Sequence, residues 1–153
     1  MANTYSQLYI HAVFVVKGRE SLFQKPWRDE VFKYMAGIII DKHQKPIIIN
    51  GITDHVHLLI GLQPSMRLSD LMRDIKSSTT NFINEKRFVK GVFCWQEGYG
   101  VFSYSRSQLD KVYQYILNQE EHHLKRTFKE EYLGLLQKFE IDYDDRYLFD
   151  WIE

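Results

Sequence analysis

The run "YIHAVFVV", residues 9–16, limits the possible folds more than any other stretch, because it is apolar on both faces. In an extended chain Leu8, Ile10, Ala12, Phe14 and Val16 share one face, and Tyr9, His11, Val13 and Val15 share the other. That is the pattern of a central strand in a sheet.

The elements after this strand set the topology. Pro26 suits a first helical turn, and "PWRDEVFKYMAGIIIDKH" places Val31, Met35, Ile38 and Ile39 at helical spacing. A second strand, "KPIIINGI", carries the turn or bulge signal Asn50-Gly51. "DHVHLLIGL" is the third. Ser69 is placed to cap a helix through "DLMRDIKSSTTNFINEK", with Leu68, Leu71, Ile75 and Phe82 on its apolar face. "VFSYS" is the fourth strand. Ser105 or Ser107 then caps a long helix of about 107–123, and a further helix and tail occupy about 126–153. The order β-α-β-β-α-β predicts an α+β, ferredoxin-like fold: an antiparallel four-stranded sheet with helices packed on one face, plus extra C-terminal helices. A chain of 153 residues fits a single domain.

Composition narrows the class. Hydrophobic residues make up 44% and charged residues 26%, as in soluble globular proteins. One cysteine, Cys94, excludes a disulfide framework and a cysteine zinc site. No stretch reads as a leader or a membrane span, so a cytoplasmic location is expected. The net charge of zero hides an asymmetry. Residues 1–106 hold 14 Lys/Arg against 9 Asp/Glu, and residues 107–153 hold 6 against 11, giving +5 and −5. A polyanion partner for the basic part is compatible with this, as are two solvated faces.

The chemistry begins at "DHVH". His55 and His57 project from one side of a strand, with Val56 on the other. Imidazoles about 7 Å apart along a strand can converge on one metal ion, or they can form a structural polar patch. Asp54 is either a partner that orients a histidine or a turn residue. On the long helix Tyr115 and Gln119 lie four apart and share a face, away from the apolar positions Leu109, Val112 and Ile116. Gln119 offers a neutral amide oxygen to a metal, and Tyr115 a phenol. Tyr113 faces nearly the opposite side. His122 is an alternative ligand, or, with His123, an exposed helix end.

Together, His55-Val56-His57 and Tyr115-x-x-x-Gln119 resemble the single-tyrosine HUH transposases of the insertion sequence 200/605 type. "YIHAVFVVKGRE", "WQEGYGVFSYS" and "YILNQEEHH" are also similar to members of that family. The resemblance implies a DNA transposase acting on single-stranded DNA with hairpin-forming element ends. It implies a Mg²⁺ or Mn²⁺ ion held by His55, His57 and Gln119, with Tyr115 as nucleophile and no nucleotide cofactor. It also implies a homodimer, in which the tyrosine helix of one chain can serve the histidine pair of the other.

Attack by Tyr115 would leave a 5′-phosphotyrosine and a free 3′-OH, conserving the phosphodiester energy for rejoining. Candidate backbone contacts are Lys17, Arg19, Arg67, Arg73, Lys76, Ser77, Ser78 and Thr79, and candidate stacking groups Trp95, Tyr99 and Phe102, each of which has a structural or solvated role as its alternative. Three other readings fit the same residues: a domesticated nuclease acting on repeat hairpins, a non-catalytic nucleic-acid-binding module, and a metal-dependent hydrolase using water.

Overall fold

The computed structural model describes residues 3–152. Four strands, β1 (Tyr9–Val15), β2 (Lys45–Gly51), β3 (His55–Gly61) and β4 (Gly100–Tyr104), form one antiparallel sheet in the order β2-β3-β1-β4. The doubly apolar β1 is central, as its pattern predicts.

Helices α1 (Lys25–Asp41) and α2 (Leu68–Lys86) pack on one face of the sheet. They meet Ile10, Ala12, Phe14 and Val16 of the β1 region and Val56, Leu58 and Ile60 of β3, in a continuous apolar core with Val31, Met35, Ile39, Leu71 and Ile75. Contrary to the expectation of helices on one face, the other face is covered too. Helices α3 (Leu109–Leu117) and α5 (Phe128–Lys138) lie over Val13, Val15 and Leu59. The alternate residues of β1 and β3 are themselves buried, so leaving that face wet would expose apolar surface.

Three local expectations change. Asn50 and Gly51 do not form the hairpin turn. They stay in β2, paired with His57 and Val56, and residues 52–54 make the connection. Gly51 is required there because a Cβ would collide with the His55 carbonyl oxygen. Ser69 is not a cap: α2 begins at Leu68, with Arg67 at the N-cap position and Asp70 in the first turn, where a carboxylate complements the helix dipole. The helix expected over 107–123 is broken. Ser105 opens a short 3₁₀ turn, Arg106–Gln108, ahead of α3, and after Asn118 a separate turn, α4, spans Gln119–His122. At the break the Asn50 amide donates to the Ile116 and Leu117 carbonyls, both at 3.0 Å, satisfying groups that the helix end leaves free.

Candidate active site

The site lies on the sheet face that α3 and α5 cover. His55 and His57 start β3, opposite Val15 and Val13 of β1, and both are fully buried. Backbone bonds hold the preceding loop, with Val16 donating to the Asp54 carbonyl at 2.9 Å and Phe23 to the Thr53 carbonyl at 2.6 Å. Strand alternation sends both imidazoles to the same face.

α5 supplies the residue on which the site centres. Thr127 caps the helix, with its hydroxyl accepting from the Glu130 amide while the Glu130 carboxylate accepts from the Thr127 amide. Phe128, Tyr132, Leu135 and Leu136 pack this helix onto the sheet, and Glu131 falls among them, fully buried. Glu131 Oε1 is 3.1 Å from His57 Nε2, 3.3 Å from His55 Nε2 and 3.1 Å from His123 Nε2. Its Oε2 accepts from the Tyr115 hydroxyl and, at 3.1 Å, from the Gln119 amide.

Tyr115 and Gln119 therefore meet the histidines in spite of the break between α3 and α4. The Gln119 Oε1 accepts from His55 Nε2 at 3.0 Å and faces His123 Nε2 at 3.2 Å. Arg126 Nη2 donates to the Tyr115 oxygen at 3.1 Å, and the His122 ring lies 4.8 Å from that of Tyr115. Of the two adjacent histidines, His123 reaches the carboxylate, whereas His122 packs on the tyrosine. Tyr113 is exposed and outside the cluster.

Sequence reasoning did not single out Glu131, Arg126 or His11. His11 Nε2 lies 2.7 Å from His57 Nδ1, with the rings stacked at 4.9 Å. A carboxylate only accepts, so His57 donates through Nε2 to Glu131 and its Nδ1 accepts from His11. The His11 Nδ1 is buried without a partner.

The electrostatics follow from burial and this one carboxylate. Burial disfavours the protonated form of His55, but hydrogen bonds to Asp54 and Glu131 more than offset it and raise its pKa to about 9. His57 is held below its ordinary value by burial, which Glu131 only partly counters. Burial also keeps His11 well below it. Burial works to raise Glu131, yet His57 and the hydrogen bonds from His123 and His55 hold it far below the usual carboxylate range. Burial raises the Tyr115 phenol above its ordinary value, the Glu131 charge adds to this, and Arg126 acts in the opposite direction.

The donor set suits a divalent cation. One donor atom each from His55, His57 and Glu131 lies within 4.8 Å of the others. Atoms sharing an ion through bonds of about 2.1 Å sit about 3 Å apart along the edges of an octahedron. The observed 3.1 and 3.3 Å separations match that spacing. Imidazole nitrogen with carboxylate oxygen is a set that first-row divalent ions accept, and Gln119 Oε1 offers a neutral oxygen beside it.

The expected DNA contacts are dispersed. Lys17 and Arg19 are exposed in the loop after β1, Arg67 is exposed at the N-cap of α2, and Ser77 is exposed on α2. Arg73 pairs with Asp70 and Asp74. Lys76 donates to the Gln96 and Gly98 carbonyls at 2.7 and 2.8 Å, and Thr79 to the Ile75 carbonyl at 2.5 Å. Trp95 is packed between Phe14, Phe23 and Phe93, and Phe102 stacks on Phe139. Tyr99 is 37% exposed, so it alone of the three aromatics keeps a face toward solvent.

Comparison with known proteins agrees with this architecture. A family model described as "Transposase IS200 like" matches residues 4–119, a span that ends before His123, Arg126 and Glu131. The chain is similar in fold to a candidate transposase from Deinococcus radiodurans R1, with a TM-score of 0.63 and 21% identity over 78% of this chain and 95% of that one. It is also similar to a REP-associated tyrosine transposase bound to a REP hairpin, with a TM-score of 0.55 and 12% identity over 82% of this chain and 72% of that one. No curated protein matches it in sequence.

Proposed function

The chain belongs to the IS200-like transposase family, and on that premise we propose that it cuts and rejoins single-stranded DNA through covalent attack by Tyr115. One observation carries the reading: a single buried carboxylate, Glu131, links the Tyr115 hydroxyl to His55 and His57. An isolated histidine pair or an isolated tyrosine would have ordinary structural explanations; their convergence on one acid does not.

His55, His57 and Glu131, with Gln119 beside them, are the residues that would hold a Mg²⁺ or Mn²⁺ ion. Such an ion supplies neutralisation of the phosphate oxygens and orientation of the phosphorus for in-line displacement. The chain's own groups manage the nucleophile. A new bond forms from Tyr115 Oη to phosphorus, and the bond from phosphorus to the 3′ oxygen breaks. Glu131 Oε2 holds the hydroxyl in place while the phenolic proton passes to water, the departing 3′ oxygen takes up a proton from water to become a 3′-OH, and Arg126 stabilises charge on the phenolate. Attack by a second 3′-OH reverses these changes and rejoins strands without a nucleotide cofactor.

Because Tyr115 meets the histidines of its own chain through Glu131, the reading takes Tyr115 to act in cis. The substrate we propose is single-stranded DNA carrying a hairpin, the kind of ligand held by the REP-associated relative in fold.

The test is incubation with hairpin-flanked single-stranded DNA and Mn²⁺. We expect a protein–DNA adduct that survives denaturant and is lost in Tyr115→Phe, with a drop of at least about 1,000-fold. An adduct that persists in Tyr115→Phe would remove the tyrosine from the mechanism. Cleavage with no adduct would favour hydrolysis by water.

A further inference from the structure

A cavity of about 270 Å³ adjoins Tyr115 and Glu131. α3 contributes Lys111 and Tyr115, one turn apart, and α5 contributes Gly134 and Lys138, also one turn apart. Tyr104, at the end of β4, and Arg126 complete its wall.

Two of its features point to a ligand. The first is charge. Residues 107–153 carry 6 Lys/Arg against 11 Asp/Glu, yet Lys111, Arg126 and Lys138, three of those six cations, stand around this one opening. Among the described residues none of the three is in an ion pair. The nearby anion, Glu131, is already engaged by imidazoles.

The second is Gly134. It sits inside α5, where glycine weakens a helix relative to alanine, and its backbone is not left-handed. An added Cβ would meet only the Arg126 Nη1, at 4.0 Å, so packing does not demand glycine. A longer side chain would instead project across the opening toward Arg126. Gly134 keeps the cavity clear.

We propose that this cavity binds one nucleotide of the substrate strand, the one whose 5′-phosphate is transferred to Tyr115. The proposal rests on Tyr115 being the nucleophile. Arg126, already bonded to the Tyr115 oxygen, meets that phosphate, while Lys111 and Lys138 neutralise the charge of the adjoining backbone. The base lies against Tyr104. Lys138 Nζ lies over that ring, 5.7 Å from its centroid, so a stacked base takes the place of the ammonium, which turns to the backbone phosphate. At about 270 Å³ the cavity lies near the lower end of ligand-pocket sizes, on the scale of a single nucleotide.

The experiment titrates the protein with the four deoxynucleoside 5′-monophosphates, deoxyribose 5-phosphate and inorganic phosphate, following binding by NMR or calorimetry. At least one nucleotide should bind about tenfold more tightly than deoxyribose 5-phosphate, the change expected of one stacked base. Gly134→Met, which fills the opening, should abolish that preference, whereas Tyr113→Phe, on the exposed side of α3, should keep it. Tyr104→Leu should abolish it from the opposite wall, which covers the case in which Gly134→Met does not fold. The proposal is overturned if wild type binds none of these probes or binds nucleotide and sugar phosphate alike. It is equally overturned if the preference survives in both Gly134→Met and Tyr104→Leu. None of these titrations requires strand cleavage. A failed pocket therefore leaves the adduct result standing, and nucleotide binding without any adduct counts against the nucleophile alone.

Discussion

The two faces of the sheet are built on opposite principles. Against α1 and α2 the packing is one continuous apolar cluster, from Ile10 and Phe14 through Met35 to Ile75. Against α3 and α5 the apolar material is split into two smaller clusters, one around Val13, Phe128 and Tyr132 and one around Leu59, Val112 and Ile116. Between them lie His11, His55, His57, Gln119 and Glu131, buried and hydrogen-bonded to one another. The first face stabilises by area removed from water. The second gives up a continuous core for a polar network, which holds only while every member has its partner. The fold thus keeps its stability and its chemistry on separate sides of one sheet.

Paired substitutions across the sheet would break that contrast most sharply. Phe14→Ala should cost about 3–5 kcal/mol in urea unfolding and leave Mn²⁺ affinity of the folded protein unchanged. Glu131→Gln should cost about 2 kcal/mol but weaken Mn²⁺ binding by about 100-fold or more, beyond what loss of an outer partner causes. Equal stability losses with equal Mn²⁺ affinities would mean that the two faces do not differ in kind.

A pH series on the metal-free protein tests the polar face alone. The His55 pKa, raised from 6.5 to about 9, contributes stability that is fully present below 6.5 and is lost as pH climbs through 9. At about 1.4 kcal/mol per pH unit this corresponds to about 3 kcal/mol over that window. His57 and His11, held low, act in the opposite sense, so stability also declines as pH falls below 6.5. The melting temperature should therefore peak near pH 6.5, and the alkaline decline should disappear in Asp54→Asn combined with Glu131→Gln. An alkaline decline unchanged in that double variant would show that His55 is not its source.

The smallest expected stability effect is at His11. His11→Phe removes one hydrogen bond together with a buried nitrogen that has no partner, so stability should move by no more than about 1 kcal/mol. Mn²⁺ affinity should nonetheless fall about 10- to 100-fold, because His57 loses the contact that orients its ring. An unchanged affinity would reduce His11 to packing.

Much of this was legible in the chain. The doubly apolar "YIHAVFVV" reads as a central strand and is one. His55 and His57 on one side of a strand, and Tyr115 and Gln119 on one helical face, follow from periods of 2 and 3.6 residues. Glu131 left a fainter mark, an acid set between Phe128 and Leu135 on the apolar stripe of α5, where a lone charge has no place unless something meets it. Asn50 misled because Asn-Gly is a turn signal locally, while its amide in fact reaches the end of a helix some 66 residues away. For Trp95 and Lys76 the structural alternative is the one seen: the ring fills the core and the cation ties a loop to α2.

By itself the sequence determined the order of strands and helices, which faces of them are apolar, and which side of each element carries the histidines, the tyrosine and the glutamine. Tertiary structure decided that a second helical layer closes over the histidines and that α5 delivers Glu131 between them and Tyr115. The physical reason is that a backbone period points a side chain relative to its own element only. The distance between a strand at residue 55 and a helix at residue 131 is set by how their apolar faces pack, and that is a property of the assembled core.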